Sequence, residues 1–348
     1  MDAFPALGQN LVAKFGAREK SSGFVAPRSA PVLLVASAGG HLEELLHFSA
    51  RFIKTGHTVE WVTPTTAQSA ALLRGHTVHS VPYIGPRDLK LAAQQLIAAN
   101  RLLSISRYSA VISTGAAIAI PYLAAARLHR IPAHYIESAA RSLEPSLTGK
   151  LATRIPGVRL YTQYDNWEQR RWVFQGSVFD GFEVSSEPEK EKNCNRVVVT
   201  LGTMQKYGFH RAVEAIQRVL AQLPRAPESI LWQTGCTDVS GLGIQGRELV
   251  PSDELSNAIA EADLVIAHAG VGSALTALSL GKSPVLIPRQ AEFGEHIDDH
   301  QLMIAQFLQR RGLASMASPE QLSLETISSA MSRRVVRSEG EVPFSLST

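Results

Sequence analysis

Five short runs hold the residues best placed to do chemistry: "SAGGH" (37–41), "STGAA" (113–117), "LGTMQ" (201–205), "QTG" (233–235) and "HAGVGS" (268–273). Each puts small residues at the end of an apolar run. Glycine lets the backbone come close to a ligand, and the N-terminus of a following helix offers N–H groups and partial positive charge. That combination suits phosphate. Glycine also serves tight turns for geometry alone, so any single run is equally well read as structural. Five runs spread over two halves point to phosphate sites in both. Other chemistries lack their signatures. GxGxxG follows neither first strand, and no Walker lysine follows a glycine loop. GxSxG and HExxH are also absent. In "IDDH" (297–300), Asp298, Asp299 and His300 are consecutive. On a helix they cannot all face one ion, so no metal site is expected.

Ligands of open α/β sheets bind outside the carboxyl ends of the strands. The elements around the glycine runs fit that geometry. "VLLVAS", "HTVEWVTP", "HTVHSVPYI", "AVISTG" and "PAHYIES" read as strands. Between them lie helix patterns in "HLEELLHFSARFIKTG", "DLKLAAQQLIAANRLLSIS" and "IAIPYLAAARLHR", the last broken by Pro121. Strands alternating with helices predict a parallel sheet. The serine-rich, charged stretch 177–195 breaks the rhythm and reads as a linker. The alternation then restarts with "RVVVTLG", "SILWQTG", "DLVIAHAG" and "PVLIP" as strands. Helices run between and after them. Ser252 is placed as the cap of one, and Ser318 with Pro319 at the start of another. The division is therefore 1–30 as an N-terminal extension, 31–176 and 196–335 as two Rossmann-like α/β domains, and 336–348 as a tail.

The 348 residues suffice for two domains with sizeable cores. A net charge of +3 permits contact with anionic lipid or phosphate but gives no case for nucleic acid. Two cysteines without metal-ligand spacing imply a reducing compartment. The longest apolar run, 116–126, is about half of the roughly 20 residues a membrane span needs. Any membrane contact is then peripheral, with a cytoplasmic location. "RDLKLAAQQLIAANRLLSISRY" (86–107) is a basic amphipathic candidate for docking on an anionic bilayer, or one layer of the domain sandwich.

The motifs "VVVTLGT", "WQTG", "ADLVIAHAGVGSALTAL" and "PRQAEFGEHIDDHQ" make residues 196 to about 315 resemble the carboxyl domain of family 28 glycosyltransferases. That family includes the lipid II-forming N-acetylglucosaminyltransferase and the catalytic subunit of the dolichol-linked chitobiose synthase. "ASAGGHLEELL", "STGAAIAIPYLAAA", "YIESAARSLEPSLTGKL" and "YTQY" make the first half resemble the membrane-associated partner subunit and its capsule and exopolysaccharide counterparts. The chain looks like a fusion of the two. The resemblance implies a GT-B fold, with two Rossmann-like domains facing across a cleft. It implies an inverting, metal-independent hexosyltransferase needing no cofactor. Its donor is a UDP-sugar and its acceptor a polyprenyl-diphosphate-linked saccharide at the inner membrane surface. Other polysaccharide-assembly enzymes are further expected partners, and nucleic acid is not.

The resemblance also assigns roles. Gly270, Gly272 and Ser273 cradle the donor diphosphate, with Gly202 and Thr203 closing over it. Gln233 lines that pocket, and the loop at Ser252 reads uracil. Asp299, His300, Gln301 and Glu295 hold sugar hydroxyls. Thr276 departs from a glutamate that grips the ribose in many members, and Glu292 or Glu295 are candidates to replace it. On the acceptor side, Gly39, Gly40, Thr114, Gly115, Ser138 and Arg141 form the wall. His41 is the expected general base, because a helix N-terminus keeps its imidazole neutral. Glu137 is the alternative base. Two other functions share the architecture: a UDP-sugar 2-epimerase, which would convert UDP-GlcNAc alone, and a non-catalytic UDP-sugar-binding scaffold, which would bind without turnover.

Overall fold

The computed structural model describes residues 30–53, 57–85, 88–167, 171–187, 193–203 and 206–338, together with Phe344 and Leu346. The chain divides into two units, residues 1–178 with 341–348, and residues 179–340. The N-terminal extension, the charged run 188–192 and most of the tail lie outside the described residues.

The first unit builds a seven-stranded sheet from β1 (Val32–Ala36), β2 (Val59–Pro64), β3 (Thr77–Val81), β4 (Ala110–Gly115), β5 (Ala133–Ile136), β6 (Val158–Thr162) and β7 (Trp172–Phe174). The order is β3-β2-β1-β4-β5-β6-β7, and every pairing is parallel. Its helices are α1 (Gly40–Phe52), α2 (Ala67–Leu72), α3 (Leu89–Ile105), α4 (Ala119–Leu128) and α5 (Leu147–Ala152). β1 and β4 are buried along their whole length, as expected of parallel strands covered on both faces. Strand order reverses between β1 and β4, which makes their carboxyl ends the switch point of the sheet. "SAGGH" and "STGAA" both sit there.

The second unit repeats the plan. β9 (Arg196–Thr200), β10 (Ser229–Gln233), β11 (Gly246–Arg247), β12 (Leu264–His268), β13 (Val285–Ile287) and β14 (Ser315–Met316) pair in parallel in the order β11-β10-β9-β12-β13-β14. Its helices are α6 (His210–Leu220), α7 (Ser252–Glu261), α8 (Val271–Ser279), α9 (His300–Arg310) and α10 (Leu324–Met331). Here the switch point falls between β9 and β12. "LGTMQ" follows β9 and "HAGVGS" follows β12.

Several local expectations change. Pro121 does not break α4. It lies in the first turn, where a backbone N–H would have no helical partner. Ser318 does not cap the final helix, which starts later: Ser323 accepts the Thr326 N–H at 3.3 Å. Ser252 is the first residue of α7 rather than its cap, since Pro251 holds the cap position. Thr66 and Ser69 form a reciprocal capping box on α2, a helix the apolar pattern does not reveal. Part of the 177–195 stretch is regular structure. Val178–Gly181 form a 3-10 turn, and β8 (Phe182–Val184) pairs antiparallel with β15 (Val335–Arg337) of the same unit. The tail is also anchored in part. Phe344 is buried in the first unit, 4.5 Å from the Phe48 ring and 5.9 Å from the Tyr161 ring.

Helix α3 settles as a layer of the sandwich. Ala99 and Leu103 are buried in the core while Ile97 and Ile105 point outward, 72% and 76% exposed. Among the described residues, no helix is long and apolar enough to cross a membrane.

Phe344→Ala removes a ring packed among Phe48, Phe52 and Tyr161. Loss of a buried phenylalanine costs about 3–5 kcal/mol. Chemical denaturation is expected to show the first unit unfolding at clearly lower denaturant. An unchanged midpoint would mean that the C-terminal segment anchors nothing.

Candidate active site

At the first switch point, Gly39 ends the turn after β1 with φ +90°, a conformation that favours glycine, and holds the N-cap position of α1. A side chain added there would meet nothing within 4 Å, so the backbone lies open to approach. Its N–H donates to Gln68 Oε1 at 2.8 Å. Gly40 begins the helix and His41 is its second residue.

His41 is held by β4. Its Nδ1 lies 3.0 Å from the Thr114 carbonyl, and Thr114 Oγ1 donates back to the His41 carbonyl at 2.7 Å. A carbonyl only accepts, so Nδ1 carries the proton and Nε2 is the basic nitrogen. Gly115, at φ +117°, clears room for the ring: a Cβ there would stand 3.4 Å from His41 Cε1 and 3.1 Å from the Tyr135 hydroxyl. The His41 side chain is one-third exposed.

Beneath it lies Glu44, 1% exposed, with Oε2 3.8 Å from His41 Nδ1. Glu44 Oε1 accepts from the Ala139 N–H at 2.7 Å and from Gln163 Nε2 at 3.1 Å. Burial dominates and raises its pKa to about 7 against these bonds, with nearby Glu137 adding repulsion.

Glu137 is placed differently from what its candidacy as a base requires. It is 1% exposed and accepts from the Tyr135 hydroxyl, the Ser138 N–H, the Ser146 N–H and Ser146 Oγ. Burial pushes its pKa up. Both oxygens are committed to folding the 138–146 loop, and α5 presses close: a Cβ on Gly149 would fall 2.1 Å from Glu137 Oε2. Ser138 is buried, and its Oγ accepts from the Ala140 N–H. Arg141 stays partly exposed in the same loop. The structure therefore gathers Gly39, Gly40, His41, Thr114 and Gly115, and sets Glu137 beneath the loop that carries Ser138 and Arg141.

At the second switch point a histidine organises the glycines. His268 Nδ1 lies 3.3 Å from the Thr200 carbonyl. A Cβ on Gly202 would come within 2.7 Å of its ring, and one on Gly270 within 2.4 Å. Both glycines thus make space for imidazole. Burial, helped by the Arg289 charge, lowers the His268 pKa to about 3, so the ring is neutral. Gly270 caps α8, and Gly272 and Ser273 form its first turn, partly exposed. Thr276 Oγ1 donates to the Gly272 carbonyl at 3.0 Å. Thr203 is exposed beside Gly202, whereas Met204 and Gln205 lie outside the described residues.

Three expected ligand-binding side chains prove to be committed within the protein. Gln233 donates to Thr200 Oγ1 at 2.9 Å and accepts from the Val250 N–H at 3.0 Å, so it positions the loop before Ser252. Gln301 is buried and accepts from the Arg289 N–H at 3.1 Å. Glu295 pairs with Arg211 at 2.9 Å and accepts from the Gln290 N–H at 3.1 Å. Asp299 is exposed at the N-cap position of α9 and accepts from the Ala291 N–H, and His300 begins that helix.

Arg289 went unnoticed in the sequence. It is 1% exposed, and its guanidinium donates to the carbonyls of Leu201, Tyr207, Gly208 and Glu295. It ties the loop after β9 to the loop before α9. An arginine directly after the "VLIP" strand was the available signal. The "IDDH" run is not helical throughout, and Asp298, Asp299 and His300 do not gather as a set. The helix begins only at His300, and His296, Asp298 and His300 come together with one ligand atom each, all within 4.8 Å of one another.

Glycine turns, helix N-termini and buried hydrogen-bonding side chains are now in place at one edge of the second sheet. Residues 196–335 match the glycosyltransferase family 28 C-terminal domain. Over most of the chain, the similarity is to named transferases. One is the UDP-N-acetylglucosamine–N-acetylmuramyl-(pentapeptide) pyrophosphoryl-undecaprenol N-acetylglucosamine transferase of Cupriavidus pinatubonensis, 23% identical over 84% of this chain and 86% of that one. The Acidovorax sp. enzyme of the same name is 24% identical over 84% and 77%. Among solved structures, Acinetobacter baumannii MurG superposes with a TM-score of 0.55 at 20% identity, covering 86% of this chain and 88% of that one. The glycosyltransferase SnogD from Streptomyces nogalater gives 0.54 at 17%, covering 87% and 91%. The two Rossmann-like halves match these GT-B glycosyltransferases in fold.

The family 28 domain leaves the first unit's buried acid to be tested by itself. Glu44 titrates near 4.5 when unfolded and near 7 when folded. Between those values the folded state binds the extra proton, so Glu44 makes stability fall as pH rises through the window, by up to about 1.4 kcal/mol per pH unit. Glu44→Gln lacks this contribution. The melting temperature of the wild type minus that of Glu44→Gln should decline from pH 4.5 to 7 and level off above. His268 acts in the opposite sense but is common to both proteins and cancels. A constant difference across the window would show that Glu44 ionises as an ordinary carboxylate.

Proposed function

We propose that this protein is an inverting glycosyltransferase that moves a sugar from a UDP-sugar to a polyprenyl-diphosphate-linked saccharide. The observation that carries the reading is the family 28 match over 196–335, coinciding with the Gly270–Ser273 helix N-terminus at the switch point of the second sheet. The named activity of the Cupriavidus and Acidovorax relatives, a UDP-sugar donor with a pyrophosphoryl-undecaprenol acceptor, supports the same substrate classes.

In this reading the α8 N–H groups receive the donor diphosphate. They stabilise the charge that develops on UDP as the sugar C1–O bond breaks. The loop Val250–Asp253, positioned by Gln233, reads uracil through its backbone. Asp299 and His300 are the sugar-facing groups, while Gln301 and Glu295 support them from below. In the first unit, the α1 N-terminus and Gly39 take the acceptor diphosphate. His41 Nε2 removes the proton from the acceptor hydroxyl, whose oxygen attacks C1. Thr114 orients the ring through Nδ1, and Glu44 steadies the imidazolium that forms. Helix N-termini and hydrogen bonds carry the charge, and we assign the reaction no divalent cation. The outward Leu96, Ile97 and Ile105 of α3, with Lys90 and Arg101 exposed on the same helix, fit contact with an anionic bilayer where a polyprenyl acceptor resides. A role in exopolysaccharide or capsule synthesis rests on the first-half motifs.

The test is a panel of UDP-Glc, UDP-GlcNAc, UDP-GlcA and UDP-Gal against membrane extract holding the native lipid, run in excess EDTA. One donor is expected to transfer its sugar at undiminished rate. Activity lost in EDTA and restored by Mg²⁺ or Mn²⁺ would overturn the metal-independent step, and conversion of UDP-GlcNAc without acceptor would indicate an epimerase.

General-base catalysis is worth about 10²–10⁴-fold. His41→Ala should lower turnover by that range and abolish the acid limb of the pH profile, while UDP affinity stays unchanged. Retention of more than about a tenth of turnover with the same profile would reduce His41 to a structural role.

A further inference from the structure

Ahead of α9 the chain carries a cluster that the transfer reaction does not use as a unit. His296, Asp298 and His300 are spaced two residues apart where a bend runs into the first residue of α9. One ligand atom from each lies within 4.8 Å of the others. His296 Nδ1 is 3.2 Å from Asp298 Oδ1, and His300 Nδ1 touches the same oxygen. For bonds of about 2.0–2.2 Å, the edge of a tetrahedral ligand set is roughly 3.4 Å. The His296–Asp298 separation of 3.2 Å is already close to that edge. The two imidazole rings stand 4.5 Å apart at 86°, which directs two nitrogens inward without stacking the rings.

The surroundings favour ligation. The Asp298 N–H donates to His296 Nδ1 at 3.3 Å, so that nitrogen is unprotonated, and its lone pair would pass from this long hydrogen bond to an entering ion. The Tyr207 ring, 6.4 Å away, walls the buried side. His296 is buried, whereas Asp298 and His300 remain partly exposed, so an ion can enter and retain solvent in its open positions. The Arg289 guanidinium nearby opposes a cation, but it is spent on four backbone carbonyls, and Asp298 brings a compensating charge as a ligand.

We propose that His296, Asp298 and His300 form a binding site for one divalent transition-metal ion of the zinc and cobalt class. Two imidazoles and one carboxylate match that class, whereas Mg²⁺ and Ca²⁺ require oxygen ligands. The site shares His300 with the sugar-facing groups proposed above, and its test needs no substrate and reads metal binding alone.

The experiment uses the full chain with Cys194→Ser and Cys236→Ser, which removes thiolate ligands, stripped of metal by dialysis against chelator. Co²⁺ is titrated in and followed by its visible d–d absorption, then displaced with Zn²⁺. One equivalent of Co²⁺ should bind, Zn²⁺ should displace it and excess Mg²⁺ should not. Asp298→Asn and His300→Gln, confirmed as folded by circular dichroism, should each weaken binding by at least about tenfold. His300→Gln keeps a hydrogen-bonding side chain at the helix start, so its loss of metal is not a loss of fold. Absence of Co²⁺ absorption, or affinity unchanged in both variants, would overturn the site.

Discussion

The central strands of both sheets are covered on both faces, and that constraint governs where the chemistry of the molecule can lie. β1 and β4 are buried from end to end. A strand in that position has no place for a polar side chain that lacks a partner. Polar residues gather instead where the strands stop. The connecting helices begin at the same edge, so their N–H groups face it as well. Donors, polar side chains and glycine turns thus arrive together at the two switch points, β1/β4 and β9/β12, as a result of packing.

The two edges are then stiffened in opposite ways. In the first unit, buried carboxylates collect donors. Glu137 takes four, and Glu44 takes the Ala139 N–H and Gln163 while standing under His41. In the second unit, a buried guanidinium collects acceptors, with Arg289 donating to four carbonyls. Hydrogen bonds to a charged group are worth about 1.5–3 kcal/mol each, roughly twice the neutral kind. Removing either centre would leave several buried backbone groups without partners. Such centres define a single loop conformation, and a transfer reaction needs that precision at its positioning groups.

The architecture was legible in the sequence because it depends on residue type and order. The alternation of apolar runs and helix patterns yields the two parallel sheets, and the five glycine runs all fall at carboxyl ends of strands. His41 was legible for the same reason, since it follows Gly39 and Gly40 directly. Pairing between polar groups was not legible. Glu137 resembles a base until Ser146 and Tyr135 are found on it, and Gln301 resembles a sugar ligand until its oxygen is found on the Arg289 N–H. Gln233 turned from a pocket wall into the support of Val250 in the same way. The Val178–Val184 segment escaped notice because its strand partner, β15, lies some 150 residues away. The apolar period carries no record of that pairing. Pro121 misled because proline is a breaker only inside a helix, and the start of α4 was not visible.

The glycines show how packing and ligand approach can be separated. What decides is the atom an added Cβ would meet. At Gly202 and Gly270 it would meet the His268 ring, so those glycines exist first to admit an imidazole. At Gly39 it would meet nothing, so φ alone requires glycine and the backbone above is open. The imidazole between Gly202 and Gly270 then affects what the α8 N-terminus can offer. His268 donates its Nδ1 proton to the Thr200 carbonyl, and its pKa near 3 keeps it uncharged at neutral pH. The positive potential at that edge therefore comes from oriented N–H groups and from Arg289, rather than from an imidazolium that would come and go with pH. Fixed dipoles hold their orientation before, during and after charge develops on a leaving group. A helix N-terminus built in this way keeps the same electrostatic character across neutral pH.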